Sequence, residues 1–454
     1  MHDQTPLIRR PAEHQVDRGE WRLPVILFLT LFAVFGLTAR TSGGSWDYYS
    51  ANYASWHVVH DGDPWLDGGT VPGLQGDPEE STWVMHDAPN GHTVVKRFPG
   101  AIAIALPAYW IAQAGEMTVV PGAITAALAC AFGILMLFLA MRTIMRESVA
   151  LAACGLLALG TPIWTVAADA VWPHTVTVLG IGGMAWGAVR QRWWLVGLFG
   201  GVLLWGRLHA ALIVAIFGVL LGWWRRSPRI TLVVGSVSGS FLALVCLWTR
   251  WWTGSWNPLA SYGSDVLSNA QTGWARLASE AQLFVSPDRG ILVWSPLMVL
   301  LTPALIRGWK DIPDWARALL FGGLAYTLLQ AWISRAVGGD SFYGYRHGIE
   351  LVMAATPAYA MTTRHLGSTA RQWVAPLMTL QVFAMAFGAL FDPFLTAEQV
   401  WHDNAFYYFA LREAWPVGPL MLVGIMCFVM IGLRILERRK GERASMEKAL
   451  ASHS

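Results

Sequence analysis

The chain has 454 residues, of which 55% are apolar and only 13% are charged, and its formal net charge is +3. Because about a quarter of the residues of a soluble domain are charged, this composition excludes an ordinary soluble protein and indicates a membrane protein. The small net charge does not indicate nucleic-acid binding, and the length has room for about ten to thirteen spans of roughly 20 residues.

Apolar runs recur along the whole chain and predict an all-α polytopic membrane protein with about 12 transmembrane helices. The runs lie near residues 23–40, 118–141, 149–167, 174–189, 194–206, 208–224, 230–249, 291–306, 317–334, 347–362, 373–391 and 416–433. Two short runs meet at the polar sequence "WGRLHA", residues 205–210, and form either a hairpin or one long kinked helix. We predict the hairpin, within a single integral-membrane domain over residues 1–454.

The distribution of basic residues predicts the orientation. With the N-terminus inside, 22 of the 32 Lys and Arg residues fall in cytoplasmic segments, as the positive-inside rule expects. Both termini, including a tail at 434–454, are then cytoplasmic, and residues 41–117 form the first extracytoplasmic loop. The long connections lie outside, so we expect the active site there. Residues 96–115 are apolar but carry two prolines, which favours an interfacial or re-entrant helix.

The sequence "SWDYYSANYASWHVVHDGDPW" begins that loop at Ser45. A helix from Asp47 to Val59 would place its aromatic side chains at headgroup depth. Asp47 would stand at the N-terminus, where the helix dipole favours an ionised carboxylate. It is either a plain N-cap or a general base. Reserve candidates for the base are Asp61, Asp63 and Asp169.

This stretch resembles the first outer loop of the GT-C membrane glycosyltransferases, the superfamily of protein O-mannosyltransferases and lipid A aminoarabinose transferases. The matching elements are Asp47, the Tyr53-Ala54 pair and the Gly62-Asp63 pair, followed by the basic, proline-containing "KRFPGAIAIALPAYW". The pieces "LGTPIWTVAADAVWPHT", "LFVSPDRGILVWSPL" and "GGDSFYGYRHGIEL" resemble bacterial phospholipid-carrier-dependent members. The resemblance implies a GT-C-like helical fold with outer-face juxtamembrane helices. An aromatic Tyr48 follows Asp47 where many relatives have a polar residue, which leaves the acceptor open.

The chemistry implied is sugar transfer from a polyprenyl-phosphate donor to a hydroxyl of a cell-envelope acceptor, which is a glycolipid, polysaccharide or protein. Such an enzyme is a hexosyl- or pentosyltransferase. A base must activate the acceptor, positive groups must stabilise the leaving phosphate, and direct displacement inverts the anomeric carbon. Asp47 is the predicted catalytic base. Guanidinium and ammonium groups suit the phosphate, and the candidates are Lys96, Arg97, Arg207 and Arg346.

Each of these assignments has a simpler alternative. Arg207 could extend to the headgroups, and Lys96 and Arg97 could contact membrane lipids. Arg346 could pair with Glu350 one helical turn away. Four residues are predicted to contact the sugar or the acceptor. Asp63 lies in the first outer loop, and Asp169, His174 and His347 lie at the outer ends of spans. His174 could instead be packed as a core residue.

Metal binding and transport are two further possibilities. His57 and His60 share a helix face near Asp61 and Asp63, but no recognised three-ligand spacing occurs. We therefore expect no required cofactor and leave a divalent metal open. A transporter or flippase of a polar lipid or glycolipid would also have many spans, but it would place its charges near the bilayer midplane and often repeat its halves. Here the halves do not repeat and the polar groups gather at the outer ends, so we favour the enzyme.

Overall fold

The computed structural model describes residues 21–41, 45–67, 84–262, 272–286, 289–333 and 342–390. These parts of the chain are predominantly helical. The helices are α1 (Arg22–Thr38), α2 (Trp46–His60), α3 (Pro99–Ala112), α4 (Val120–Met141), α5 (Glu147–Leu159), α6 (Pro173–Val189), α7 (Trp193–Gly206), α8 (Ala211–Trp224), α9 (Pro228–Thr253), α10 (Gly273–Val285), α11 (Ile291–Trp294), α12 (Pro296–Arg307), α13 (Asp314–Ile333), α14 (Ile349–Thr362) and α15 (Ser368–Leu390).

Among the described helices, α4, α9, α13 and α15 are long and apolar enough to cross a bilayer, so the chain is a membrane protein. Eleven of the twelve apolar runs coincide with helices. The twelfth, 416–433, and the predicted tail at 434–454 lie outside the described residues. The total of about 12 spans and the placement of α2 and α3 at the outer face stay predictions.

Two apolar runs are split in the structure, and a third break lies where one was predicted. The run 149–167 is split, because α5 ends at Leu159 and a separate π-helical turn occupies Ile163–Ala167. The run 291–306 is split before Pro296, which lacks a backbone N–H and suits the first position of α12. Arg207 has an extended backbone, with φ −149° and ψ 119°, and ends α7. The predicted interruption at "WGRLHA" is therefore confirmed.

Glycines let the helices around the site approach closely. A Cβ on Gly182 of α6 would overlap the backbone of Gly133, so α4 and α6 pack backbone to backbone. A Cβ on Gly100 would overlap the backbone of Trp205 and Gly206. The first turn of α3 is thus packed against the last turn of α7. This contact brings Arg97, which precedes α3, towards Arg207, which follows α7.

Helices α2 and α3 are joined by side-chain hydrogen bonds. Ser55 donates to the carbonyl oxygen of Ile102 at 3.1 Å, and the Tyr109 hydroxyl donates to Asn52 Oδ1 at 2.9 Å. All four residues are buried. Because buried polar groups are costly unless paired, these bonds fix how the two helices lie against each other.

A short antiparallel hairpin leads into α3. Strands β1 (Met85–Asp87) and β2 (Thr93–Val95) pair in the register Met85 to Val95. The turn between them contains Gly91 with φ +84°, which favours glycine. We did not predict these strands, although the Asn90-Gly91 dipeptide is a hairpin signal. We also did not predict α10.

Candidate functional site

Asp47 is the second residue of α2. The N-cap is Ser45, whose Oγ accepts from the Asp47 backbone N–H at 3.4 Å, so the interpretation of Asp47 as a plain N-cap is wrong. Its carboxylate binds two guanidinium groups instead. Oδ1 lies 2.8 Å from NH2 of Arg97, and Oδ2 is bound by NH1 of Arg346. The side chain stays 34% exposed, so a substrate can reach it.

Arg97 holds the start of α2 as well as the carboxylate. Its Nε donates to the Asp47 carbonyl oxygen at 2.9 Å, and its NH1 donates to the Lys96 carbonyl oxygen at 2.5 Å. The side chain is almost fully buried. This arrangement suits orientation of Asp47, and the predicted contact of Arg97 with a phosphate stays a prediction. Lys96, at the end of the hairpin, is bound through its backbone N–H to Val84 at 2.7 Å.

Arg346 reaches Asp47 from the segment that precedes α14. Its guanidinium carbon lies 5.4 Å from the centre of the Trp172 ring and 5.0 Å from that of Phe342. Cation–π contacts of this kind orient a guanidinium while leaving its edge available. The alternative pairing with Glu350 is not formed, because Arg346 binds Asp47 and Glu350 binds His174.

The electrostatic surroundings keep Asp47 ionised. Burial raises the pKa of Asp47, but the charges of Arg346 and Arg97 lower it more, and the net result is a pKa well below the usual value of 3.8. Arg207 lowers the same pKa further. The group is therefore a carboxylate at neutral pH, flanked by a concentration of positive charge.

Arg207 is the centre of a second, buried network. NH1 donates to Gln330 Oε1 at 2.9 Å, and NH2 lies 2.9 Å from His174 Nε2. The other ring nitrogen of His174 lies 2.8 Å from Glu350 Oε1, which also accepts from the Thr177 hydroxyl at 2.7 Å. His174 and Glu350 are completely buried. His174 thus joins Arg207 to Glu350.

The side chains of His347 and Tyr262 lie beside these two networks. His347, next to Arg346, is buried, and its Nε2 lies 3.5 Å from Gln330 Nε2. Tyr262 packs its ring against Phe98 with centroids 4.4 Å apart, and its phenol is within electrostatic reach of Asp47 and the three site arginines. We did not predict Tyr262 or Gln330, because neither stands in a sequence pattern that carries charge or chemistry.

Asp169 and Asp63 are not brought to the carboxylate of Asp47. Asp169 Oδ2 forms a buried ion pair with Arg40 Nε at 2.6 Å, which ties the end of α1 to the segment before α6. Asp63 lies beyond the far end of α2, a 15-residue helix roughly 22 Å long. There its Oδ1 accepts from the Trp65 backbone N–H at 3.0 Å. Their predicted sugar or acceptor contacts stay predictions.

The histidines near the end of α2 lie beside neighbouring carboxylates. His57 Nε2 lies 3.3 Å from Asp61 Oδ2, and His57 Nδ1 lies 3.7 Å from Asp63 Oδ1. His60 Nδ1 lies 2.9 Å from Asp61 Oδ1. Within the described ranges, no group of three or more His, Cys, Asp or Glu side chains could hold a metal ion. Each oxygen of Asp47 is bound by one guanidinium group.

The fold is similar to that of solved membrane glycosyltransferases. ArnT from Cupriavidus metallidurans in the apo state aligns with a TM-score of 0.56 at 16% identity, over 91% of this chain and 72% of ArnT. The same protein bound to undecaprenyl phosphate gives 0.56 and 16%, over 92% and 73%. The oligosaccharyltransferase AglB from Archaeoglobus fulgidus, with an inhibitory peptide and a dolichol-phosphate, gives 0.50 and 12%, over 90% and 60%.

ArnT and AglB belong to the GT-C glycosyltransferases, so this chain has the GT-C fold. The resemblance inferred from the motifs around Asp47 is confirmed at the level of the fold. No protein-family profile matches the sequence, and no curated protein matches it.

Proposed function

We propose that this protein is a glycosyltransferase that moves a sugar from a polyprenyl-phosphate donor to a hydroxyl group of a cell-envelope acceptor, at the extracytoplasmic face of the membrane. One observation carries the proposal. A partly exposed carboxylate, Asp47, lies between Arg97 and Arg346 at the start of a short helix in a GT-C fold. The undecaprenyl phosphate bound to ArnT and the dolichol-phosphate bound to AglB support a lipid phosphate as donor.

In the proposed reaction, the acceptor oxygen attacks the anomeric carbon while its proton passes to Asp47. The bond between the anomeric carbon and the phosphate oxygen breaks, and polyprenyl phosphate leaves. Attack from the face opposite the leaving group inverts the anomeric carbon. The phosphate carries one negative charge as a diester and gains a second as it departs. Positive groups beside it therefore stabilise the transition state more than the bound donor.

Arg346 and Arg207 are the arginines proposed to stabilise that charge, with Lys96 as a further candidate. Arg346 contacts Asp47 through NH1, which leaves other N–H groups of its guanidinium for a phosphate. Arg97 is proposed to orient Asp47, because its Nε, NH1 and NH2 already bind Asp47 and Lys96.

The same arginines link donor binding to the basicity of Asp47. With both guanidinium groups in contact, the pKa of Asp47 is lowered, which makes the carboxylate a weak base. A phosphate anion beside Arg346 offsets part of the positive charge and raises the pKa of Asp47. Asp47 thus becomes a stronger base once the donor is bound.

The sugar and the acceptor are proposed only by class. A hexose and a pentose both fit the chemistry, and the acceptor is a glycolipid, polysaccharide or protein. We propose that no cofactor is required, because the guanidinium groups of Arg346 and Arg207 are proposed to neutralise the phosphate, as a divalent cation otherwise would. The proposed outer placement of Asp47 rests on the 22 of 32 basic residues that the orientation assigns to the cytoplasm.

The test uses purified protein in lipid nanodiscs with a panel of polyprenyl-phosphate hexoses and pentoses and a cell-envelope fraction as acceptor. We expect mass spectrometry to find one sugar moved to an acceptor, with release of polyprenyl phosphate. In parallel, a deletion strain should lack one glycosylated envelope product, which the wild-type gene restores. A flippase would move the lipid-linked sugar across proteoliposomes without forming a glycosidic bond, and that outcome would contradict the proposal.

A further inference from the structure

The side chain of Arg207 is placed by a break in the helices. The extended backbone at this residue ends α7 and precedes the short turn that starts α8. Its NH2 and NH1 groups are directed to His174 and Gln330, on two different helices. Within the described ranges its Nε–H makes no hydrogen bond to the protein.

The contact with Arg207 determines the tautomer of His174. A guanidinium group has only donors, so His174 Nε2 must be the acceptor in the 2.9 Å contact with Arg207 NH2. The ring proton of the neutral imidazole is therefore on Nδ1. From there it is donated to Glu350 Oε1 at 2.8 Å. Arg207 thus donates to His174, and His174 donates to Glu350, so the three side chains form one hydrogen-bonded chain.

Burial makes this chain sensitive to the loss of any member. Glu350 and His174 have no exposed surface, and a buried charge is costly unless it is paired and hydrogen-bonded. The negative charge of Glu350 and the positive charge of Arg207 offset each other across His174. If Glu350 no longer accepted the Nδ1 proton, His174 could present an N–H to Arg207, and two donors would face each other.

The hydrogen-bonded series of Glu350, His174 and Arg207 ends near Asp47. Arg346, which binds Asp47, lies four residues before Glu350, in the segment that precedes α14. Gly100, three residues after Arg97, packs on the backbone just before Arg207. The charge of Arg207 also acts on Asp47. Arg207 thus lies at the same site as the proposed base, and its buried partners lie behind it.

We propose that His174 and Glu350 are positioning residues: by fixing the His174 tautomer, Glu350 holds the guanidinium of Arg207 in the orientation that binds the donor phosphate. This inference rests on the proposed function. It assigns His174 a role behind Arg207 in place of direct contact with the sugar, and it adds Glu350 to the residues on which donor binding depends. Thr177, which also donates to Glu350, supports the same arrangement.

The test is a double-mutant cycle with undecaprenyl phosphate as the binding probe, on full-length protein in nanodiscs. We expect H174A and R207A each to weaken binding by about tenfold or more, as for the loss of a hydrogen bond to a charged group. In the R207A background, H174A should weaken binding by less than a further factor of about two, because the two residues act as one unit. H174Q places an amide oxygen near the position of Nε2 and should restore most of the affinity.

Q381A is the matched control, since Gln381 is also buried and bridges Leu297 and Gly160 without contacting Arg207. It should lower the melting temperature and leave the affinity unchanged. If H174A does not fold, T177V tests the same chain, with a smaller loss of affinity that disappears in the R207A background.

Two outcomes overturn the inference while the proposed function stands. In one, the wild type binds undecaprenyl phosphate and H174A weakens binding equally in the wild-type and R207A backgrounds. In the other, R207A or H174A leaves the affinity of the wild type unchanged. If the wild type itself does not bind undecaprenyl phosphate, the proposed function fails and the inference fails with it.

Discussion

Asp47 and Arg346, which are 299 positions apart in the chain, form a direct ion pair between the first turn of α2 and the segment that precedes α14. Arg97 binds the other oxygen of the same carboxylate. A single acid therefore joins three separate parts of the chain, and the site exists only in the folded protein. Substitutions at this site can separate its chemical role from its structural one.

Replacing Arg346 by Ala should weaken donor binding by about 1.5 to 3 kcal/mol, the usual value for a hydrogen bond to a charged group. The loss has a second source, because Asp47 would then face the donor phosphate with less positive charge beside it. Titration with undecaprenyl phosphate measures the effect. Arg364→Ala, which breaks the exposed pair with Asp311, is the control and should bind normally. Equal affinity in both variants would remove Arg346 from the donor site.

The pH dependence of kcat/KM should reflect the pKa of Asp47, which the neighbouring arginines lower. Their charges outweigh burial and lower the pKa of Asp47 below 3.8, so Asp47 stays ionised until the pH falls through that lower value. Its contribution to stability is likewise present above pH 3.8 and lost below it. In Arg346→Gln the pKa of Asp47 should rise and move the acidic limb to higher pH. An acidic limb at the same pH in both proteins would contradict this account.

Asp169 should matter for stability more than for turnover. It pairs with Arg40 at 2.6 Å where both side chains are nearly buried, and removing one partner of such a pair costs about 3 to 5 kcal/mol. Asp169→Ala should therefore lower the melting temperature in nanodiscs, while turnover per folded molecule stays near that of the wild type. Normal stability with lost turnover would instead place Asp169 among the sugar contacts.

Cysteine labelling tests the orientation. Asp61, just after α2, and Lys310, just after α12, are both exposed. In a variant without native cysteines, a thiol at position 61 should react with a membrane-impermeant reagent added to intact cells. A thiol at position 310 should react only after the membrane is opened. The reverse pattern would place Asp47 on the cytoplasmic side and refute the proposed location of the site.

The apolar runs predicted the helices well, because burial in lipid or between helices requires long apolar segments. The apolar runs did not predict the helix ends where a glycine or a proline interrupts a run. The run 149–167 breaks around Gly160 and Pro162, and a second break precedes Pro296. Hydropathy does not register these interruptions, since the flanking residues remain apolar on both sides.

Asp47, Arg207 and Arg346 were predicted as site residues from their position at the ends of apolar segments. Their partners were not, because sequence spacing reveals only neighbours on one helix. Spacing suggested Glu350 as the partner of Arg346, whereas Glu350 binds His174, 176 positions away. We also did not predict that Ser45 is the N-cap of α2. Because Ser45 caps the helix, the carboxylate of Asp47 can bind the arginines.

The most direct test of the proposed base is the transfer rate of purified Asp47→Asn in nanodiscs, measured with the donor that the wild type uses. Asn keeps the shape and one oxygen for the arginines but cannot take the acceptor proton. We expect normal folding and retained binding of undecaprenyl phosphate, with turnover reduced about 10²-fold or more. Near-wild-type turnover in this variant would show that Asp47 is not the base.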